Sequence, residues 1–263
     1  MRKYIAIAQA EWLDALQNRE EIIIWILIES IPVFIMGSLW LASQSQLINL
    51  NLRPTQLITY YVAVLLVSRL TSFYFEESLQ NQIKDGTFSK YLVKPISLPF
   101  ALIPQNLGSK MFHTVFLLLP ILALILFSFP GQIISPTPLN LLFFGLSLIL
   151  AYFIQFGLAV LVTSAAFWWE QAFSMVHAKW ILDVVAGGYA LPLFLYPQWL
   201  KVLVGFLPFQ YIYFIPASIF TGQYQPPEVI PLLSVSLIWV FILFIICKLI
   251  WNLGLKRYSS VGN

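Results

Sequence analysis

Charge is what this sequence has least of. Only 10% of its 263 residues are Asp, Glu, Lys or Arg, and 60% are hydrophobic. A soluble domain carries about 25% charged residues, so a soluble fold of this length lacks the polar side chains to cover its surface. Lipid removes that requirement, because an outward face in a bilayer can stay apolar. Cysteine is nearly missing as well. The single Cys247 lies inside an apolar run, which excludes a disulfide framework. His113 and His177 are the only histidines, and both fall near expected span ends, where they read as packing residues. Metal catalysis needs more imidazole, thiolate or carboxylate than that. The sequence has no Gly-x-x-x-x-Gly-Lys-Ser/Thr loop and so no P-loop of its own. It also lacks His-Glu-x-x-His, Cys-x-x-Cys and Gly-x-Ser-x-Gly. No secretory signal is expected, because Glu11, Asp14, Glu20 and Glu21 interrupt residues 1–21.

What the sequence does have is long apolar runs. A crossing needs roughly 20 apolar residues to span about 30 Å of hydrocarbon. Six runs are predicted to cross, at residues 22–41, 57–75, 111–129, 139–168, 181–196 and 229–250. The fold class is all-α, a single polytopic membrane domain over 1–263. Pro120 is placed to kink the third run, and the fourth is long enough to tilt. Residues 1–21 are predicted to form an amphipathic interfacial helix. Ile5, Ala8, Trp12 and Leu16 lie on one face, with Trp12 at the headgroups. A further run, 202–220, contains Gly205, Pro208 and Pro216, which break a regular helix. It is expected to be a re-entrant or interfacial hairpin between spans five and six.

Charge placement sets the orientation. With six spans, Arg2, Lys3, Arg19, Lys84, Lys90, Lys94, Lys110, Lys179, Lys248, Lys256 and Arg257 share one side, against Arg53 and Lys201 on the other. That asymmetry puts both termini in the cytoplasm. Trp40, Tyr74, Trp168, Trp180 and Trp251 fall near run ends, where aromatic belts form.

Three charges inside the runs need a reason, since a charge at span centre costs about 2.5–3.5 kcal/mol on insertion scales. Glu29 lies roughly 10 Å in from the cytoplasmic end of its run, and Arg69 roughly 9 Å in from the same side. The matched depths predict an ion pair. Asp183 is shallower and lies one turn from Lys179. Two readings stay open for these residues: pairs that hold helices together, or a polar point on a transport path. Acidic pairs such as Glu20/Glu21 and Glu76/Glu77 sit at run boundaries and are expected to be solvated.

The loop after the second run carries the most local information. It reads Glu76-Glu77-Ser78-Leu79 through Asp85-Gly86-Thr87-Phe88-Ser89-Lys90-Tyr91-Leu92-Val93-Lys94-Pro95. A helix is predicted to run to about Lys84, with a turn at Asp85-Gly86 and Thr87 capping a short helix that ends before Pro95. Phe88, Tyr91 and Leu92 recur at three- and four-residue spacing and define one apolar face. That face either docks on a partner or packs back on the chain's own bundle.

With these residues in view, the chain resembles, over nearly its whole length, the membrane subunit of type-2 ATP-binding-cassette (ABC) exporters. The match is to the six-helix bacterial permease group. The resemblance rests on the amphipathic N-terminus and on the Asp85-Gly86-Thr87 to Leu92-Val93-Lys94-Pro95 loop. It also rests on the Leu207-Pro208-Phe209 to Pro216 segment and the Leu255-Lys256-Arg257-Tyr258-Ser259-Ser260 tail. It implies a transport subunit without catalysis of its own, in the bacterial inner membrane. The implied partners are membrane lipid, a second permease chain and separate ABC ATPase subunits that bind ATP and Mg. The chain itself would hold no cofactor, and no nucleic-acid partner is expected. Asp85, Gly86, Thr87, Phe88, Tyr91, Leu92, Lys94 and Pro95 would form the ATPase-coupling loop. The rivals from other classes are a polytopic enzyme acting on lipid-like substrates and a secondary transporter. The first needs clustered Asp, Glu or His at the membrane surface. The second usually shows internal repeats, which this sequence lacks.

Overall fold

The protein is described by a computed structural model. It describes Gln9, Trp12, Leu13 and residues 22–43, 53–92, 98, 101–169 and 172–258. The expected N-terminal amphipathic helix lies mostly outside these residues, as do Lys94, Pro95 and the Ser259-Ser260 end of the tail. Trp12 is described, and its ring meets Phe112 edge-on at 5.7 Å, so it packs against the bundle.

The described residues are helical wherever they are regular. Helix α1 is Ile22–Ala42 and α2 is Pro54–Thr71. After a short break come α3 (Glu76–Lys84) and α4 (Ser89–Leu92). Next, α5 (Leu102–His113) runs through a π-turn at Thr114–Leu118 into α6 (Leu119–Ser128). The longer elements α7 (Pro138–Ser164) and α8 (Phe173–Val185) follow. The chain ends through α9 (Gln198–Gly205), α10 (Phe214–Phe220) and α11 (Pro226–Arg257).

Among the described residues four stretches are long and apolar enough to cross a membrane: Ile24–Ala42, Pro54–Lys84, Pro138–Phe167 and Pro226–Arg257. The pair Gln198–Gly205 and Pro208–Phe220, bent by 82°, makes a fifth if it counts as one span. Six separate spans are therefore not what the described helices display. The third expected run is part of a longer helix whose first half carries Gln105, Asn106 and Lys110, so only Thr114–Ser128 is apolar throughout. Pro120 lacks the N–H that would bond back one turn, and the helix widens just before it: the N–H of Leu119 donates to Thr114 O, five residues back. The fifth expected run breaks outright. Helix α8 stops at Val185, and its 13 residues give only about 20 Å of rise.

The break after α8 sits in the core, and its backbone is satisfied by side chains. Tyr60 Oη donates to Gly188 O at 2.6 Å, Tyr61 Oη to Ala190 O at 2.9 Å and Tyr196 Oη to Val185 O at 2.8 Å. The N–H of Phe214 donates to Gly187 O at 2.9 Å. Irregular backbone at membrane depth survives only when protein or water meets its polar groups. Gly188 adopts φ +80°, and a Cβ there would lie 2.9 Å from Tyr60 Oη. Glycine is thus required by both conformation and space.

The core helix is α2. Leu57, Ile58, Tyr60, Ala63 and Val67 are all buried, and α2 packs against α1, α7 and α10. By contrast, α1 and α11 expose Ile24, Leu27, Ile31, Ile35, Ile238, Phe241, Ile245 and Leu249. Large apolar side chains facing outward on long helices suit lipid contact. The 202–220 segment divides in the same way. Every residue of α10 is buried, whereas α9 and its exit expose Trp199, Val202, Leu203 and Phe206. One arm is a wedge in the core and the other lies on its surface.

Candidate functional site: a charged cavity and a cytoplasmic elbow

The charges predicted to meet do meet. Arg69 Nη1 stands 2.5 Å from Glu29 Oε1, joining α1 to α2. Arg69 Nη1 also donates to Tyr74 Oη at 3.0 Å, and Lys110 Nζ donates to the Arg69 carbonyl at 3.2 Å. The double change Glu29→Gln with Arg69→Gln is expected to be milder than the sum of the single changes. The coupling should fall at about 0.5–3 kcal/mol, as for residues in direct contact. Thermal melts of the four proteins in detergent measure it; additive losses would mean that the contact carries no energy.

A second, more deeply buried cluster lies beside this pair. Lys179 Nζ on α8 is 3.2 Å from Asp183 Oδ2 and 3.4 Å from Glu76 Oε1 on α3. Gln155 Nε2, from the middle of α7, donates to the same Asp183 oxygen at 3.0 Å. Glu76, Gln155, Lys179 and Asp183 are each less than a tenth exposed. The expectation that both members of the Glu76/Glu77 pair are solvated is corrected here: Glu77 is exposed and Glu76 is buried. The reason is readable on α3, where Glu76, Leu79, Gln80 and Ile83 recur at helical spacing and all point inward. Gln80 on that face donates to Val162 O at 2.7 Å and Ala172 O at 3.3 Å, tying α3 to the end of α7. Gln155 was also missed, and its signal was a lone amide in the middle of an uncharged run.

Both clusters border a cavity of about 400 Å³. Arg69, Glu76, Lys179 and Asp183 line it, with Tyr189 and Tyr213 among its aromatic walls and the exposed Glu77 and Trp180 at its edge. A buried lysine shared by two carboxylates thus borders a space whose walls are both charged and aromatic. Among the described residues no group of His, Cys, Asp and Glu has the arrangement of a metal site.

The loop after α3 forms an elbow. Helix α3 ends at Asp85, and Gly86 turns the chain at φ +73°, a conformation that favours glycine. Thr87 does not cap the next helix as expected. Its hydroxyl reaches back to Gln82 O at 3.5 Å, and the short α4 begins at Ser89. The apolar face also divides. Phe88 is fully buried, Tyr91 is half-buried and Leu92 is 52% exposed. Phe88 packs edge-on against Phe167, Trp251 and Tyr258, with ring centroids 5.3–6.0 Å apart. Tyr258 Oη donates to Gly86 O at 2.6 Å and accepts from Ser89 N–H at 3.1 Å. The loop and the C-terminal tail, far apart in sequence, therefore form one unit. Asp85, Leu92 and Lys90 are left facing outward.

The class of the chain comes from the comparison with protein families. Residues 27–262 match the model of the ABC-2 family transporter protein, and the chain belongs to that family. It is thus a multi-pass transport subunit without a catalytic domain. Neither a curated protein nor a solved structure gives a significant match to the chain.

Proposed function

We propose that the chain is the permease subunit of an ABC exporter, paired with a second permease chain and driven by separate ATPase subunits. Its topology has six crossings with both termini in the cytoplasm. The third crossing is the α5–α6 helix. The fifth is assembled from α8 and the irregular segment after it, and the α9–α10 pair folds back on the outer side. The lysine-rich placement of the elbow supports that orientation. The partner's ATP-driven closure would move the elbow, and a path at the permease interface would then open outward.

The observation that carries this reading is the construction of the elbow. Asp85, Lys90 and Leu92 face outward, while Phe88 and Tyr258 fasten the elbow to the 3-10 turn Ala165–Phe167 that follows α7 and to α11. A push at Leu92 would therefore be passed to long helices and not be lost in a slack loop. Asp85, Gly86, Thr87, Tyr91, Lys94 and Pro95 complete the coupling segment in this reading, and Phe88 serves it as an anchor. Leu92→Asp places a charge on the exposed surface and touches no core contact. It should insert and melt like the parent but retain the ATPase about tenfold less well on purification, the size expected when an apolar anchor of an interface is lost. Unchanged ATPase recovery would place docking elsewhere.

A further inference from the structure

The geometry points to the charged cavity as a binding site for a protonated organic amine carried on an apolar body. The charges do not balance around it. Of the charged side chains that line it, Glu76, Glu77 and Asp183 stand against Arg69 and Lys179, and the surplus carboxylate, Glu77, is exposed at its edge; the neighbouring Glu29 and Lys110 offset one another. The cations are also engaged, apart from Arg69 Nε, which is buried without a hydrogen-bond partner. Arg69 is held by Glu29 and Tyr74, Lys110 by a backbone carbonyl, and Lys179 is shared between Glu76 and Asp183. What remains unsatisfied is mainly acceptor capacity. Among the described residues Asp183 Oδ1 and Gln155 Oε1 are buried, belong to cavity-lining side chains and accept no hydrogen bond. Asp183 is 4% exposed and Gln155 3%. A buried acceptor left unmet costs about 1–3 kcal/mol, and more when it is charged, so a donor is the missing complement.

The walls decide between a bare cation and an organic one. The cavity is about 400 Å³, the size of a small-molecule site and far more than one ion fills. Tyr189 and Tyr213 stand edge-on with ring centroids 5.5 Å apart, and Phe73 and Trp180 add further aromatic lining. Aromatic faces attract organic cations and accept apolar bodies. An ammonium group at Asp183 and Gln155 with its hydrocarbon against these rings would satisfy both requirements. An anionic headgroup would meet the surplus carboxylate instead.

The amine could come from a soluble compound or from an amine-bearing lipid headgroup. That it is the transported cargo rests on the permease reading above. Binding is measured on the full chain without an ATPase, so failure of amine binding and failure of ATPase recovery are separate results. The probe is 2-phenylethylamine, with 2-phenylethanol and 3-phenylpropionate as neutral and anionic counterparts, titrated calorimetrically into the chain in phosphatidylcholine nanodiscs. The amine should bind saturably, and each counterpart at least about tenfold more weakly, the worth of one charge-assisted contact. Asp183→Asn should weaken the amine about 10- to 100-fold. Glu77→Gln, at an exposed position, should weaken it about two- to fivefold. Adding phosphatidylethanolamine to the nanodiscs identifies the source: competition means a lipid headgroup, and no competition a soluble amine. Equal binding of the alcohol, absence of saturable amine binding, or an unchanged affinity in Asp183→Asn overturns the assignment. If Asp183→Asn does not fold, an unchanged affinity in Glu77→Gln overturns it.

Discussion

Lys179→Met is expected to be among the most damaging single changes in the protein. Lys179 is buried between two buried carboxylates, at 3.2 Å from Asp183 and 3.4 Å from Glu76. Removing one member of a buried ion pair typically costs about 3–5 kcal/mol, because the charge left behind has neither water nor a partner. Here the change strands two carboxylates at once, and Gln155 donates to only one of them. Most of a membrane protein's folded yield should be lost. The loss should be recoverable without the lysine. The triple change Lys179→Met, Glu76→Gln and Asp183→Asn removes every charge of the cluster and nearly keeps its volume, so it should cost less than the single change that leaves two charges without their partner. Detergent melts and membrane yield of the parent, single and triple proteins measure both effects. If Lys179→Met melts with the parent, the cluster is not held together by charge.

Phe88→Ala should be comparably severe. Phe88 is fully buried, and truncating a buried phenylalanine costs about 3–5 kcal/mol through lost transfer energy and the cavity left behind. The loss should fall on the elbow and the C-terminal tail together, since Phe88 meets Tyr258 and Trp251 as well as Phe167. Tyr258→Phe gives the contrast. It keeps the ring and removes only the hydroxyl that joins Gly86 to Ser89, a change worth about 1–3 kcal/mol for two hydrogen bonds. Proteolysis of the tail, followed alongside the melting temperature, separates the two. Phe88→Ala should expose the tail and lower the melting temperature, whereas Tyr258→Phe should loosen the tail with a smaller shift. A Phe88→Ala protein with a parental tail and melt would mean that the elbow does not depend on this ring. Because Phe88 is structural, partner docking has to be tested at Leu92, where a substitution does not carry the cost of an opened core.

The placement of Glu29 against Arg69 was legible from depth alone, because helical rise converts sequence distance into position across a bilayer. The Gly86 turn was legible because only glycine adopts that backbone angle cheaply. Residues such as Gln155 and Glu76 were harder. A lone amide or a boundary carboxylate looks alike whether it faces water or a neighbouring helix, and which one it faces is set by packing. The spacing of Phe88, Tyr91 and Leu92 suggested one apolar face, but Phe88 precedes the four-residue α4 and is buried while Leu92 is exposed, and so short a helix does not hold one face in one environment.

What the sequence determined by itself was the membrane character, the helical class, the long lipid-facing helices and the family. These follow from hydropathy and from residue order, which need no knowledge of neighbours. Only the tertiary structure decided that the fifth run ends at Val185, that α10 is a buried wedge, and that Glu76, Gln155, Lys179 and Asp183 close around one cavity. Each of these depends on partners distant in the chain. The irregular backbone after α8 is tolerable only because Tyr60 and Tyr61 on α2 supply hydroxyl donors. The charges are tolerable only because α3, α7 and α8 bring them within reach of one another. In a low-dielectric interior a polar group survives by the partner it finds, and that partner is specified by the fold.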